Sequence, residues 1–407
     1  MRRHCTALWI VGLWALLAIP ARADQLGALE SILKRASVRL YDDRPVSGAQ
    51  LKRIVKAGWN AATVDGTRPF EFVVIRDRGT LEQLAGATKF AKWMPGAPAA
   101  IAVVTRRDLS RHHVENGIQA VTNMYHAAQE QGLGTCFVGT AKRSEMKKIL
   151  GLTGKRWKGR HLLTVLPIGH PKTGKEFKSP ARVPLAETVF DGRFGQPTDA
   201  LRGSRVIKSS TRKMADFLGG EQREVLQFSK TRVGKDRLRT ALEMMRAAPS
   251  SKNRQPWRVV LVRDAATKQE IASAAKDPVL AQAPVVAVLA TSLKPPPVRF
   301  GTQEQHDPHN NVKAGARLTR YFIRRHDPSF ALANLRMGVE SLGLGARVVM
   351  LNRPAQDVAR TRLSTGRPIG LRNMHMLAAV GIGHVQKSQT RQTPRLPRNR
   401  VLWRKGK

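Results

Sequence analysis

An internal duplication constrains the fold of this chain more than any other feature. The stretch Leu51–Ile75 reads LKRIVKAGWNAATVDGTRPFEFVVI, and Leu238–Val262 reads LRTALEMMRAAPSSKNRQPWRVVLV. Each has helical periodicity, then a polar turn, then a proline followed by an aromatic residue, and then an apolar strand-like run. The two stretches therefore read as the same structural unit.

Three further landmarks recur in the same order. They are Ala97-Pro98 before AAIAVVT and Ala283-Pro284 before VVAVLAT, the Gly-Leu-Gly helix ends at 132–134 and 343–345, and Ile168-Gly169-His170 with Ile382-Gly383-His384. Two copies are too few for a solenoid. The duplication instead predicts a fused pseudo-dimer, monomeric as a chain.

Within each copy, strand-like runs alternate with helical patterns, as at Phe72–Ile75, Ala100–Thr105 and Leu162–Ile168. This predicts a mixed α+β fold of two tandem domains, each a mixed sheet covered by helices. We place the first domain (the first copy) at 24–190, a Gly-, Ser- and Arg-rich linker at 191–213, and the second domain (the second copy) at 214–407.

The second copy carries an insertion at 292–327 and a basic tail at 387–407. A loop as long as the insertion is usually a lid or a disordered excursion in a compact domain. His306 and His309 lie within it, but no cysteine or acidic set accompanies them, which favours a solvated loop over a metal site.

The amino terminus has the pattern of a secretory signal peptide at 1–23. Arg2 and Arg3 precede the apolar run Ala7–Ile19, and Ala21-Arg22-Ala23 precedes Asp24. A charged start, a short apolar core and a small-x-small site predict cleavage and a periplasmic or secreted protein. The alternatives are an uncleaved membrane anchor, or a cytoplasmic protein if the leader is misread. Cleavage leaves Cys136 as the only cysteine, which excludes an intramolecular disulfide.

The formal net charge is +42, which predicts attraction to polyanions. The charge is spread along the chain, although the tail is its densest part. Neither zinc-finger spacing nor an aromatic-rich RNA-binding signature accompanies it. We interpret the charge as a surface adaptation or as loose binding to anionic surfaces, not as specific recognition of nucleic acid.

The polar turn of the second copy, Ala248–Trp257, is the most informative single stretch. Its serine hydroxyls and asparagine amide offer hydrogen bonds to a ligand, and its two prolines limit the freedom of the backbone. Taken alone, the same stretch is also typical of a helix end and a turn before a buried strand.

Taken together, the motifs resemble the nitroreductase family of FMN-dependent oxidoreductases, twice, over essentially the whole mature chain. They are Arg35-Ala36-Ser37-Val38-Arg39, the Pro249–Trp257 segment, both Gly-Leu-Gly helix ends, and Ile168-Gly169-His170 followed by Arg182-Val183-Pro184-Leu185. The resemblance implies an α+β homodimer that holds FMN at the subunit interface. One subunit supplies an Arg-x-Ser-x-Arg/Lys phosphate cradle and a late arginine, and its partner supplies a Pro-Ser-Ser-x-Asn turn beside the ring.

The two copies retain opposite halves of that arrangement. The first copy keeps Arg35, Ser37, Arg39 and Arg182, and the second keeps Pro249, Ser250, Ser251 and Asn253. The aligned positions are Gln222, Glu224 and Leu226 in the second copy, and Ala62, Thr63, Val64 and Gly66 in the first. Guanidinium groups suit a phosphate dianion, whereas a glutamate repels it. The resemblance therefore implies one complete composite FMN site and one that has lost both halves.

The resemblance also places Phe137, Val138 and Gly139 over the flavin, where a backbone N–H approaches the ring. Gly132 and Gly134 permit the turn and the close approach. Cys136 invites a redox interpretation, but a lone cysteine in an apolar run is usually packed. No Ser/His/Asp triad, metal cluster or paired-carboxylate motif is found, and we predict no catalytic protein side chain.

The implied reaction is a ping-pong transfer. NAD(P)H is a candidate donor, and a nitroaromatic or quinone-like small molecule is the acceptor. Nicotinamide donors are cytoplasmic, which conflicts with the predicted export. The main alternative is a flavin-sequestering pseudo-enzyme with the insertion as a lid. A third alternative is a basic polyanion-binding protein with an empty fold, whose binding is salt-sensitive.

Overall fold

The computed structural model describes most of the chain after its first 26 residues. The described residues are 27–88, 91–140, 143–175, 179–210, 212–219, 221–292, 321–364, 374–392, 394 and 396–404. The predicted leader and both insertion histidines, His306 and His309, lie outside these ranges. None of the helices within them is long and apolar enough to cross a lipid bilayer.

Each copy builds a sheet in the same strand order. The strands of the first copy are β1 Phe70–Ile75, β2 Ala99–Arg106, β3 Gly134–Thr135, β4 Val138–Gly139, β5 Arg160–Gly169 and β6 Val189–Asp191. Those of the second are β7 Glu221–Phe228, β8 Trp257–Val262, β9 Val285–Ser292, β10 Gly345–Met350, β11 Met374–Gly383, β12 Val385–Gln392 and β13 Val401–Arg404. The sheet orders are β13-β1-β2-β5-β3 and β6-β8-β9-β11-β10. The repeated order confirms the predicted mixed α+β fold with two similar units.

The two sheets exchange their edge strands. β6 follows the first copy in sequence but lies parallel to β8, with Val189 opposite Val259. β13 ends the second copy but lies parallel to β1, with Val401 opposite Phe72. All the other pairings in both sheets are antiparallel. Each copy therefore completes the sheet of the other, as two subunits of an arm-exchanged dimer would.

Helices cover the sheets and form the contact between the copies. They are α1 Ala28–Lys34, α2 Gly48–Trp59, α3 Arg78–Gly86, α4 His113–Gln129, α5 Arg143–Ile149, α6 Leu185–Thr188, α7 Met214–Leu218, α8 Lys235–Arg246, α9 Ala265–Ala275, α10 Pro278–Gln282, α11 Asp327–Ser341 and α12 Arg353–Arg362. A capping box at Ser47 fixes the start of α2, because Ser47 and Gln50 satisfy each other's backbone N–H groups.

α4 and α11 are the central helices of the two copies, and they pack against each other. Nearly every residue of α4 is buried, as expected for a helix with other elements on all sides. The ring of Tyr125 on α4 stacks on that of Phe330 on α11, with centroids 5.9 Å apart and planes 2° apart. The hydrophobic core accordingly runs continuously from one copy into the other.

Hydrogen bonds repeat between the copies in atomic detail. The Nδ2 of Asn123 donates to the carbonyl of Ala57 at 3.0 Å, and the Nδ2 of Asn334 donates to that of Met244 at 3.1 Å. These residues occupy aligned positions, so the alignment made from the sequence is also correct in space.

The structure corrects two expectations about the connecting segments. Residues Tyr321–Asp327, at the end of the predicted insertion loop, are helical, and Phe322–His326 form a π-helical turn that leads into α11. Pro328 lacks the N–H that would continue the α-helical ladder, which accounts for this turn. The predicted linker begins at Asp191, the last residue of strand β6. The basic tail contributes most of β12 and all of β13.

Candidate functional site

Arg35 is held inside the protein where α1 ends. It is the C-cap of that helix, and residues 35–40 then run without regular structure. Arg35 is 6% exposed, its Nη1 lies 3.4 Å from the hydroxyl of Ser37, and its guanidinium carbon lies 5.8 Å from the centre of the Tyr125 ring. Its Nε is buried and has no hydrogen-bond partner among the described residues. The guanidinium is therefore only partly satisfied.

Arg182 comes from the segment that follows the first sheet and lies against the polar turn of the second copy. Its guanidinium donates to the carbonyls of Ala247 and Ala248, both at 2.8 Å, and to the hydroxyl of Ser179 at 3.0 Å. Its Nε, like that of Arg35, is buried without a partner in the described part of the chain. This arginine joins the two halves that the sequence predicted to form one site.

Arg35 and Arg182 are like charges that act on each other. Burial is the main effect, and with the charges of Arg35 and Arg246 it lowers the pKa of Arg182 to about 9. Burial also lowers the pKa of Arg35, and Arg39 adds to that effect. No carboxylate is among the described groups that shift either pKa. Two buried guanidinium groups without a neighbouring carboxylate favour the binding of an anion between them.

The polar turn itself has a strained backbone. Ser251–Asn253 form a short 3-10 turn, and Lys252, Asn253 and Gln255 have φ values of 54°, 51° and 47°. Left-handed backbone at non-glycine residues costs about 1 kcal/mol or more each and concentrates at binding sites. The surroundings must hold this turn in place.

Several side chains of the turn hold it to the Arg182 segment. Asn253 Nδ2 donates to the carbonyl of Ala181 at 2.9 Å, and Gln255 Oε1 accepts the N–H of Val183 at 2.9 Å. The Ser250 hydroxyl oxygen accepts the N–H of Gln255 at 3.0 Å. The Asn253 amide thus bonds to the protein, while the hydroxyl hydrogen of Ser250 is still available as a donor.

Phe137, Val138 and Gly139 lie beside the same interface. Val138 and Gly139 form β4, which pairs with Val165 and Thr164 of β5. The Phe137 ring meets the edges or faces of rings from the second copy, with centroids at 6.3 Å from Phe322, 5.5 Å from His326 and 5.7 Å from Phe330. The nearby Cys136 is buried, as expected of a packed cysteine.

The predicted site residues form one connected group. Arg35 lies over Tyr125, Tyr125 stacks on Phe330, and Phe330 contacts Phe137. α11 closes the group, because Asp327 Oδ1 accepts the N–H of Ser251 at 2.9 Å. The structure thus brings Arg35, Arg182, the polar turn and Phe137 together.

Sequence reasoning missed Tyr125, His326, Asp327 and Phe330, which connect the predicted parts. All four are buried on the two central helices or just before α11. One signal was available: Asp327 aligns with Asn116, so a neutral amide has become an acid beside the retained turn. An acid at a position that is buried in both copies points to a special role.

The arrangement fits a molecule with an anionic end and a planar ring. The unsatisfied guanidinium atoms suit a phosphate, and the turn and the aromatic wall suit a ring system. In the described ranges, no cluster of three or more His, Cys, Asp or Glu side chains could hold a metal ion. The residues present therefore fit the FMN that the sequence resemblance implied.

A groove of about 870 Å³ lies elsewhere, between α2 and the tail. Trp59, Trp403 and two lysines, Lys52 and Lys56, line part of it. It lacks the buried guanidinium pair and the strained turn, so we place the candidate site at Arg35 and Arg182 instead.

Comparison with known proteins identifies the family of the chain. A family model described as "Putative TM nitroreductase" matches residues 28–279, and one described as "Nitroreductase family" matches residues 223–384. A "Putative NADH dehydrogenase/NAD(P)H nitroreductase" of Archaeoglobus fulgidus is 31% identical over 157 residues, which is 37% of this chain and 88% of that protein. A protein of the same description from Methanothermobacter thermautotrophicus is 27% identical over 38% of this chain and 82% of its own.

Among solved structures, a protein of Desulfovibrio desulfuricans described as "a putative nitroreductase in complex with fmn" is 27% identical. The match covers 40% of this chain and 95% of that one, with a TM-score of 0.35. The family models together span both copies, and the first of them alone matches more than half of the chain. The chain belongs to the nitroreductase family of oxidoreductases.

Proposed function

We propose that the chain is an FMN-dependent oxidoreductase with a single composite flavin site. The observation that carries this proposal is the pair of partly satisfied guanidinium groups, Arg35 and Arg182, beside a strained polar turn from the other copy. A phosphate between them would satisfy the free N–H groups and offset the repulsion of the like charges. Membership of the nitroreductase family makes FMN the expected source of that phosphate.

Each part of the site has a distinct role in this proposal. Arg35, Ser37, Arg39 and Arg182 bind the phosphate, and Pro249, Ser250, Ser251 and Asn253 form the turn beside the ring. Phe137, Val138 and Gly139 form the wall, and the aromatic contacts around Phe137 exclude water from it. The bound flavin would supply hydride or electron transfer, while the protein contributes binding, orientation and electrostatics.

The finer parts of the proposal are the donor and the acceptor. NAD(P)H is the proposed donor, and nitroaromatic or quinone-like molecules are the proposed acceptors in a ping-pong scheme. No described side chain is assigned a catalytic proton transfer to the substrate.

The test is purification without residues 1–23, followed by measurement of the visible spectrum and of bound FMN. We expect a yellow protein with one FMN per chain, bleached by NADPH and reoxidised by a nitroaromatic or a quinone. A colourless protein that binds no added FMN would overturn the proposal. Two FMN per chain would contradict the single composite site.

One observation favours a second function, flavin sequestration without turnover. Phe322 and His326, just before α11, pack onto Phe137, and a Cβ atom placed on Gly139 would lie only 3.1 Å from the Phe322 ring. Aromatic side chains thus fill space beside the proposed wall. A yellow protein whose flavin is not bleached by any nicotinamide donor would support sequestration over catalysis.

Location and assembly form a separate proposal. The signal-peptide pattern supports a periplasmic or secreted protein. The exchange of edge strands within one chain supports a monomer. The net charge of +42 supports loose affinity for anionic surfaces. Cell fractionation and light scattering at two salt concentrations test this. A cytoplasmic location with a full-length amino terminus would contradict it and would restore access to nicotinamide donors.

A further inference from the structure

Asp327 is a buried acid that contacts the polar turn of the composite site. It is 2% exposed, and its Oδ1 accepts the N–H of Ser251 at 2.9 Å. Its Oδ2 is also buried and has no hydrogen-bond partner in the described ranges. Oδ1 of this carboxyl therefore positions the turn, and Oδ2 makes no hydrogen bond to the described residues.

The aligned position in the first copy performs the same positioning without a charge. Asn116 Oδ1 accepts the N–H of Val64 at 2.9 Å, and its Nδ2 donates to Asp65 at 3.0 Å. Val64 and Ser251 are themselves aligned positions of the two turns. An amide is thus sufficient to hold the turn, and the acid is present only in the copy whose turn keeps the Pro-Ser-Ser-x-Asn sequence.

The surroundings of Asp327 favour its protonated form. Burial raises the pKa of this carboxyl to about 7, although the Ser251 N–H and the charge of Arg254 oppose the rise. The neighbouring His326 is neutral, because burial lowers its pKa well below the usual value. Two arginines precede Asp327 on the same helical segment: Arg324 is exposed, and Arg325 is engaged by Glu115 at 2.6 Å.

The remaining charged and titratable groups around the site have partners or remain in one state near neutral pH. Burial lowers the pKa of His126 on α4 to about 3, so this ring is neutral. The others are Lys252 on the turn, the Glu243–Arg246 pair on α8, and the arginines Arg35 and Arg182. Asp327 is therefore the carboxyl here that changes charge near neutral pH, whereas Arg182 changes charge at higher pH.

We propose that Asp327 is a positioning residue that couples flavin binding at the composite site to the uptake of one proton. The inference rests on the proposed FMN site. A bound flavin brings a phosphate dianion and displaces water, and both changes favour the neutral carboxylic acid over the carboxylate. The proton comes from solvent and is held on Oδ2, while Oδ1 continues to accept the Ser251 N–H.

The sign of the pH dependence follows from linkage. Below pH 7 the free protein already carries the proton, so affinity is unaffected by this group. Above pH 7 the proton must be taken up, and affinity falls by up to about tenfold per pH unit until the pKa of the complex is reached. The free energy of unfolding also falls as the pH rises, because the folded carboxyl binds its proton more tightly than the unfolded one. The stability from this group is present below about pH 4 and is lost as the pH rises towards 7.

The experiment compares the leaderless wild type with Asp327→Asn, which installs the side chain of the first copy. FMN affinity is measured by fluorescence from pH 6 to 9, and proton uptake at pH 8 by calorimetry in buffers of different ionisation enthalpy. We expect the wild-type affinity to fall with pH more steeply than that of the variant, with close to one additional proton taken up. The titrations of Arg182 and of the FMN phosphate are common to both proteins and cancel in the comparison.

The outcomes separate this inference from the proposed function. FMN binding with the same pH profile in both proteins would overturn the role of Asp327 and leave the FMN site intact. Absence of FMN binding by the wild type would overturn both. If the variant does not fold, proton uptake by the wild type at pH 8 decides. Arg182, with a pKa of about 9, can supply only about 0.1 proton at that pH, so uptake no greater than this contradicts the inference.

Discussion

The segments that follow the first helix of each copy are aligned in sequence but differ in structure. In the first copy, residues 35–40 are irregular and Val38 packs against Gly134. In the second copy, the aligned Val225 packs against the aligned Gly345, but it lies within strand β7. The common anchor shows that the positions correspond, and the backbone around the anchor has changed.

The difference indicates that the second copy departs in its backbone, as well as in its side chains, from the cradle that the resemblance implies. β7 pairs with β12 in a two-stranded sheet, so the peptide groups on one edge of β7 are occupied. The carboxylate of Glu224 binds Arg347, which also binds Asp277. The positions of β7 that align with Arg35, Ser37 and Arg39 carry Gln222, Glu224 and Leu226, none of which supplies a cation to a phosphate.

The sharpest test is Ser37→Glu, which gives the cradle of the first copy the residue at the aligned position of the second copy, Glu224. We expect FMN affinity to fall more than about 100-fold, because a carboxylate repels phosphate and pairs with the cradle arginines. Ser37→Ala is the matched control and should cost about 1 kcal/mol, or roughly fivefold. Equal losses in the two variants would show that charge at this position is unimportant.

Arg35→Gln, again the residue of the second copy, should act in opposite directions on two measurements. FMN affinity should fall by about 10- to 150-fold, because a charge-assisted hydrogen bond contributes roughly 1.5–3 kcal/mol. The flavin-free protein should become more stable by about 1 kcal/mol, because a buried and partly satisfied charge is removed. Thermal unfolding without flavin provides the second measurement, and a decrease in stability would identify Arg35 as structural.

The composite arrangement itself could be predicted from the sequence because the losses in the two copies are complementary. That pattern led to a cleft between Arg35 and the Pro249–Asn253 turn, and the structure brings both to Arg182. That these residues hold a flavin stays a prediction. Arg35 and the Pro249–Asn253 turn are far apart in sequence, and their proximity could be predicted only by treating the chain as a fused dimer.

Other features were not accessible from the sequence, for physical reasons. The exchanged strands β6 and β13 are three and four residues long, too short for a periodic signal. The positions of Tyr125, Phe330 and Asp327 depend on how α4 packs on α11, which helical periodicity within one copy does not specify. The partner of β7 is β12, most of which lies in the tail that we interpreted by its charge alone.

Converting the β7 segment of the second copy into a phosphate cradle should fail, because its backbone is a strand and not the irregular segment of the first copy. Grafting Gln222→Arg, Glu224→Ser and Leu226→Arg into β7 should leave the stoichiometry at one FMN per chain. Stability should fall by about 1–2 kcal/mol, because Arg347 loses one of its carboxylate partners. Glu224→Ser alone is the control and should account for most of that loss. A second bound flavin would show that side chains alone had inactivated the site.

The smallest expected effect belongs to Asn253→Gly, which gives the turn the residue of the first copy. Asn253 has a φ of 51°, which glycine adopts without strain, but the substitution removes the hydrogen bonds to the Ala181 carbonyl and from the Gln255 amide. The relief is about 0.5–1 kcal/mol and the two lost bonds together contribute about 1–2 kcal/mol, so stability should fall by about 0.5–1 kcal/mol. The bond to Ala181 indicates that the Asn253 amide holds the turn and does not contact FMN. FMN affinity should therefore change less than about threefold. A tenfold loss of affinity without a change in unfolding temperature would mean that the amide turns to the flavin instead, as the family resemblance implied.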